Sequence, residues 1–385
     1  MRESPAFDPR SERFRDDPLS LYRELHADRP LTRIPSANTS FVASHEHCLQ
    51  VLSDSRFSAQ QGQELRVRDD PLPASMLTTD PPEHDRLRKA ASECFSPASM
   101  ARAKAWVFPA VTDAVAVFRK ALDGGRTVDA VAQFADPLAA RILGRFLGLP
   151  ERDYPALSNW GKRLSVHLDP FAIPDASLAA EREEMLLLFA DLMYEPEDPL
   201  GALTLLARSH SAGRATAHEI LETAALMVIG GLEPLASLIA AALAARIGSG
   251  EFDRLERVRT TAEEILRYDS PIPFTARRAT SDVQLGVDLI PAGENVVVLL
   301  GAANHDPARF TDPDEFDASR RTNPHLAFGA GRHVCLGAPL VRLVGDALVR
   351  CFGRPFPDLV IVAAATKRRS STVPRAYATL GVRLR

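Results

Sequence analysis

Apolar positions along the chain recur mostly at three- and four-residue intervals, the spacing that lays one stripe along a helix. Pro18 to Ala27 and "HEHCLQVLSD" read as short helices. Helical periodicity resumes from Pro97 to Leu149 and stops at Gly148 and Pro150, as helix stop signals predict. Between Glu151 and Arg214 the helical pattern is cut by prolines at 155, 170, 174, 196 and 199. Further helices are predicted over Ala217 to Ile247 and Phe252 to Tyr268. Alternating patterns are rarer: "LTRIPSANTSFVASH" turns back like a small hairpin, and "DVQLG" and "ENVVVLL" read as strands. Two stretches lack periodicity, a polar, proline-containing loop from Ser58 to Pro82, long enough to suspect a function, and Asn304 to Phe328. We find no internal repeat and no low-complexity tract. The pattern predicts a mainly α protein, a large helical body with a smaller β-containing part. No linker divides it, so residues 1–385 are expected to form one domain.

One apolar run needs a separate reading. "ALMVIGGLEPLASLIAAALAA", Ala225 to Ala245, carries Glu233 and a proline near its centre. A carboxylate at a bilayer midplane costs about 2.5 to 3.5 kcal/mol, so a buried central helix is expected rather than a membrane span. Composition agrees, with 45% apolar and 25% charged residues and a net charge of -4. Nucleic-acid and anionic-membrane binders carry a basic excess, which this chain lacks; small neutral ligands fit better. Cys48, Cys94, Cys335 and Cys351 are too sparse for a disulfide framework and form no C-x-x-C pair, which points to a reducing cytoplasm. The start, "MRESPAFDPRSERFRDD", has no apolar core of the kind a signal peptide or anchor requires.

The candidate chemistry lies in "HLAFGAGRHVCLGAPLVR", His325 to Arg342. A thiol ligates a metal as thiolate, and burial opposes that ionisation unless a metal or a positive dipole holds the charge. Gly329, Gly331 and Gly337 would let backbone amides approach the Cys335 sulfur, and a helix starting near Gly337 would direct its positive end there. A flat macrocycle could lie against this loop on Phe328. Two plainer readings are a structural cysteine beside a glycine-rich turn and a His333-x-Cys335 zinc fragment, for which no second ligand pair is present.

"FGAGRHVCLG" matches, at every fixed position, the haem-binding signature F-G-x-G-x-H-x-C-x-G of the cytochrome P450 superfamily. The rest of the chain resembles that family in order. "DPPEHDRLR" resembles its C-helix segment, "EEILR" its Glu-x-x-Arg, "NHDPARFTDPDEFDASR" its meander and "GGLEP" its I-helix oxygen-binding motif. The resemblance implies the cytochrome P450 fold of the soluble bacterial members, with haem b between the cysteine loop and the central helix. It implies Cys335 as the proximal ligand, Phe328 and Gly337 at the haem, and His84, Arg88, Arg277 and His333 as propionate partners. Arg278 is an alternative to Arg277. Glu264, Arg267 and Arg320 would form a buried network bracing the cysteine loop.

One position departs from the family pattern. Gly231, Leu232 and Glu233 fit the I-helix motif, but Pro234 stands where a threonine, whose hydroxyl manages protons, is expected. Proline has no side-chain donor and no amide hydrogen, and it frees the carbonyl of Gly230 and kinks the helix there. Positioned proton delivery is worth roughly 100- to 10,000-fold, or about 3 to 5.5 kcal/mol. Four substitutes are conceivable: a polar group on the substrate, Glu233 relaying through water, direct use of peroxide, or Ser237. The resemblance thus implies an enzyme, a haem-thiolate monooxygenase that oxidises, typically by hydroxylation, a mostly apolar small molecule such as a natural-product intermediate. Electrons would come from a ferredoxin and ferredoxin reductase, docked near Arg86, Lys89, Arg332 and Arg342. The substrate pocket would draw on the Ser58 to Thr79 loop, the helices between Leu157 and Leu188, Leu226 to Glu233, and Pro271 to Ala276. The competing reading is a non-catalytic helper that keeps the fold but has lost oxygen chemistry.

Overall fold

The chain opens with two short helices, α1 (Glu12–Asp16) and α2 (Pro18–Asp28), ahead of the expected hairpin, β1 (Leu31–Ile34) and β2 (Thr39–Val42). The computed structural model describes residues 8, 11–28, 31–34, 38–60, 75–169, 171, 175, 177–249, 257–353 and 359–385. Most of the loop expected from Ser58 to Pro82 therefore lies outside the described residues, and Ser58 itself belongs to a strand. Next come α3 (His45–Ser53), β3 (Phe57–Ser58), α4 (Glu83–Ala91) and α5 (Pro97–Leu122). The helix expected from Pro97 to Leu149 is divided. Gly124 and Gly125 take φ of 93° and 69°, conformations that end a helix, and β4 (Val128–Asp129) follows before α6 (Asp136–Leu147).

The proline-cut region becomes α7 (Tyr154–Leu164), α8 (Leu178–Tyr194) and α9 (Ala202–Ser211). The central helix is two segments, α10 (Ala217–Ile229) and α11 (Leu232–Ser249), rather than one kinked rod. Of the helix expected over Phe252 to Tyr268, α12 (Val258–Tyr268) is described and residues 252–256 lie outside. After it come β5 (Thr275–Ala279), β6 (Val283–Leu285), β7 (Asp288–Ile290), β8 (Asn295–Val298) and α13 (Leu300–Ala303). From Asn304 to Phe328 the chain is turns without helix or strand, as expected. The C-terminal part holds α14 (Ala338–Phe352), β9 (Leu359–Ile361), β10 (Lys367–Arg368), β11 (Tyr377–Thr379) and β12 (Gly381–Leu384).

Five strands form one sheet in the order β1-β2-β8-β5-β3, with β2 and β8 parallel. Val296, Val297 and Val298 of β8 are fully buried, which is why "ENVVVLL" reads as an unbroken apolar run. The helices pack around α11, whose Leu238, Ile239, Ala242 and Leu243 are inaccessible on all sides. Ala217–Gly248 has the length and hydropathy of a membrane span, yet 78% of its most apolar window is buried inside the fold.

Candidate active site

Two glycines shape the cysteine loop. Gly329 and Gly331 both take φ of 67°, a region that side chains other than glycine avoid. At Gly331 a Cβ would lie 2.2 Å from the Leu52 carbonyl oxygen at the end of α3, so close packing also forbids a side chain. The Cys335 amide donates to the Phe328 carbonyl at 2.9 Å and closes the loop, and α14 begins directly afterwards with Gly337 as its cap. Burial pushes the Cys335 thiol pKa up, while the amides of Gly337 and Ala338, which hydrogen-bond the sulfur, and the charges of Arg88 and Arg342 push it down. The residue is nevertheless exposed to solvent. A metal ion would tip such a thiol to thiolate. Among the described residues no three His, Cys, Asp or Glu side chains group as metal ligands, so the zinc reading finds no support, and Cys335 is a single donor, as the axial position of a haem takes.

Beside the cysteine loop the structure gathers polar groups without partners. The His84 and His333 rings, from α4 and the cysteine loop, lie 4.3 Å apart, and His84 Nε2 and His333 Nδ1 are buried without hydrogen bonds. Burial first, then Arg277 and His84, holds the His333 pKa near 3, so the ring is neutral. Arg277 of β5 is 6% exposed. Its guanidinium donates to the Ala276 carbonyl at 2.7 Å and to Thr275 Oγ1 at 3.4 Å. Burial pulls its pKa down to about 10, only partly offset by Asp80. A buried polar atom without a partner costs about 1 to 3 kcal/mol, and a buried charge without a counter-charge costs more. Carboxylates placed here would give the Arg277 guanidinium a hydrogen-bonded counter-charge, and haem carries two as its propionates. The residues therefore fit the group. Strand alternation turns the half-buried Arg278 to the opposite face from Arg277.

Glu264 and Arg267, one turn apart on α12, are both fully buried. Arg267 Nε and Nη2 each donate to the Glu264 carboxylate at 2.8 Å, and Arg320 Nε reaches the same carboxylate at 3.2 Å. Arg267 also donates to the carbonyls of Asn304, Pro313 and Glu315. This network pins the irregular 304–328 stretch to α12.

The central helix opens at Gly230 and Gly231. A Cβ on Gly231 would lie 2.2 Å from the Met227 carbonyl oxygen. The regular ladder resumes where Leu235 N donates to Gly231 O at 3.0 Å. Pro234 therefore sits in the first turn of α11, where amides lack helical acceptors anyway. The helix is interrupted at Gly230 and Gly231, the place where Pro234, four residues after Gly230, offers no amide to the Gly230 carbonyl. Glu233 is 1% exposed and pairs with Arg369 at 2.7 Å. Burial raises its pKa, opposed by Arg369 and Lys162 and reinforced by Asp136. The Ser237 hydroxyl donates to the Glu233 carbonyl at 2.7 Å, so that donor is already engaged.

Among the four expected docking cations, Arg86 pairs with Glu219, Arg332 with Asp85 and Arg342 with Glu263, and Lys89 is exposed. Arg342 also lies 4.7 Å over the Phe328 ring. Arg369, Asp80 and Glu263 were not expected from the sequence. Nothing local marks them, since each acts on a residue from a distant element.

One cysteine thiol beside buried carboxylate-binding groups is a residue set that could hold a haem through its iron and its two propionates. Comparison with known proteins agrees. A sequence model of "Cytochrome P450" matches residues 239–344. Nocardicin C N-oxygenase of Nocardia uniformis subsp. tsuyamanensis is 35% identical over 354 residues, covering 85% of this chain and 86% of that protein. 6-Deoxyerythronolide B hydroxylase of Saccharopolyspora erythraea is 32% identical over 412 residues, covering 98% of both chains. The crystal structure of CalO2 superposes with a TM-score of 0.87 at 29% identity, covering 99% of both chains. The chain belongs to the cytochrome P450 family, and it is a haem-thiolate monooxygenase of that family acting on a small molecule.

Proposed function

We propose that Cys335 would hold haem b through its sulfur and that the enzyme oxidises a mostly apolar natural-product intermediate in the cytoplasm. Phe328 and Gly337 would flank the macrocycle, and His84, Arg88, Arg277 and His333 would hold the propionates. Bound haem would supply dioxygen activation, with the thiolate favouring O–O cleavage. Support for the substrate class comes from relatives named for nocardicin C and 6-deoxyerythronolide B. The electron donor is a ferredoxin with its reductase. Its docking face is narrower than expected, because Arg86, Arg332 and Arg342 are already paired.

The chain's own residues then divide the work. Gly230 and Gly231 remove side chains where the central helix opens, and Pro234 excludes a hydroxyl and an amide hydrogen from that turn. With Ser237 engaged, Glu233, next to Pro234 in the chain, is the group that would hold and release a proton. A carboxyl whose pKa is raised by burial suits a general acid. Arg369 fixes its orientation, and the Lys162–Asp136 pair, at 2.5 Å, extends the polar track toward solvent, where Lys162 is 37% exposed.

The observation that carries this reading is the buried Arg277 guanidinium, whose hydrogen bonds go to a carbonyl and a hydroxyl rather than to a carboxylate, gathered with the His84 and His333 rings beside one cysteine. Reduced protein under carbon monoxide should give the red-shifted Soret band of thiolate-ligated haem, and Cys335→Ala should abolish it. A band that survives the substitution would move the ligand assignment to Cys94 or Cys351.

A further inference from the structure

A second space, of about 650 Å³, lies where the start of the chain crosses the far ends of α11 and α12, and no residue assigned to the haem site lines it. The volume is within the range of small-molecule sites, about 300 to 1,000 Å³. Ala241, Ala244 and Ala245 of α11, with Ile265 of α12, make one wall apolar. That wall begins ten residues beyond Gly231, roughly 15 Å along the helix.

The charged groups on the lining have protein partners or stand in water. Arg368 and Arg375 each bond to the Asp269 carboxylate at 2.9 Å. Asp16 pairs with Arg15 at 3.2 Å, Asp17 accepts from the Ser20 amide at 3.3 Å, and Glu315 is exposed. Ser270 Oγ donates to the Leu266 carbonyl and accepts from Asn304 Nδ2, both at 2.8 Å. A ligand is therefore offered no free buried charge.

Two neutral lining groups are buried without a partner. His305 is 3% exposed, and its Nδ1 meets the Gly301 carbonyl at 2.9 Å. A carbonyl only accepts, so Nδ1 carries the ring proton. Burial, more than the other influences, holds the His305 pKa near 3, so the ring takes no second proton. Its Nε2 is left as an acceptor, buried and without a hydrogen bond. Tyr22, also 3% exposed, has its ring centroid 5.5 Å from that of His305. Burial keeps its hydroxyl protonated, and that hydroxyl has no hydrogen-bond partner among the described residues. A Cβ at Gly301 would lie 2.3 Å from the Tyr22 hydroxyl oxygen. The hydroxyl thus takes the room a side chain would fill, beside the residue whose carbonyl orients His305. A buried polar atom without a partner is costly, and one ligand group that both donates and accepts would meet the two together.

We propose that this space binds a neutral, mostly hydrocarbon molecule bearing a hydroxyl group. That hydroxyl donates to His305 Nε2 and accepts from the Tyr22 hydroxyl, and the hydrocarbon lies along the alanines of α11. The proposal does not depend on how the haem site is read.

The test uses the holoenzyme saturated with an azole, so that the haem site is occupied, and titrates n-octanol by calorimetry. One saturable site is expected. Heptyl methyl ether, of the same length, accepts but cannot donate, and should bind about fivefold more weakly. Tyr22→Phe keeps the ring and removes the hydroxyl, and should weaken octanol about fivefold. His305→Phe removes the acceptor and should make alcohol and ether bind alike. Gly248→Phe, at a lining position where a Cβ meets nothing within 4 Å, should weaken both about tenfold, because its ring takes up hydrocarbon space. Carbon monoxide spectra check that the variants fold, and the comparison of alcohol with ether in the parent needs no variant. Absence of saturable binding, equal affinity for alcohol and ether in the parent, or octanol binding indifferent to Tyr22→Phe and Gly248→Phe overturns the proposal. Tighter binding of octyltrimethylammonium or of octanoate than of octanol would overturn the assignment of a neutral ligand.

Discussion

Replacing Arg277 by Met should move two stabilities in opposite directions. In the protein alone the guanidinium is buried, bonds one carbonyl well, and has its pKa held near 10 by desolvation. That fall from the ordinary guanidinium value corresponds to about 3 kcal/mol of unfavourable burial. The pKa is depressed on folding, so at pH 7 the group is charged in folded and unfolded chains alike, and folding bears the whole cost. The cost fades only as pH rises through the folded pKa. Methionine of similar length removes the charge and keeps most of the packing. The haem-free variant should therefore resist urea better than its parent, by up to about 3 kcal/mol. With haem bound, the same change leaves a propionate without its counter-charge, costing roughly 2 to 5 kcal/mol, or roughly 30- to 5,000-fold in affinity. Haem transfer to a haem-free globin acceptor measures the second effect, and urea unfolding of the apoprotein the first. Arg277→Lys, which keeps the charge, should retain more haem than Arg277→Met. If Arg277→Met destabilises the apoprotein while leaving haem transfer unchanged, Arg277 is a structural residue and the propionate assignment is refuted.

Further outcomes follow from the central helix and the α12 network. Pro234→Thr should raise product formed per NAD(P)H consumed for substrate analogues that lack a polar group near the site. Turnover driven by added hydrogen peroxide, unaltered by that threonine, would instead indicate direct use of peroxide. Arg369→Gln removes the charge that lowers the Glu233 pKa, so the carboxyl keeps its proton to higher pH. The alkaline fall in coupled turnover should shift upward with it, and an unmoved limb would take Glu233 out of the proton path. Arg267→Met breaks a fully buried pair and strands three carbonyls, a loss of at least about 3 to 5 kcal/mol. Little soluble holoprotein is expected, and a near-normal yield with unchanged melting would show that the network braces nothing.

What the sequence alone determined is what is local. The cysteine loop is contiguous, and its glycines are dictated by backbone angles and by close approach to α3, so its chemistry stands in ten adjacent letters. Glu264 and Arg267 are one helical turn apart, and periodicity alone puts them on one face. The buried β8 run and the hairpin β1–β2 were legible for the same reason.

Tertiary structure decided what depends on distant elements meeting. Periodicity says that a face is buried but not against what, so the convergence of His84, Arg277 and His333 from a helix, a strand and a loop could be anticipated only through resemblance. The pairing of Glu233 with Arg369, 136 residues apart, carries no local signal at all. The interruption at Gly230 and Gly231 lies where proline's missing amide hydrogen predicts it, but that it divides one helix into two segments was decided by the packed structure.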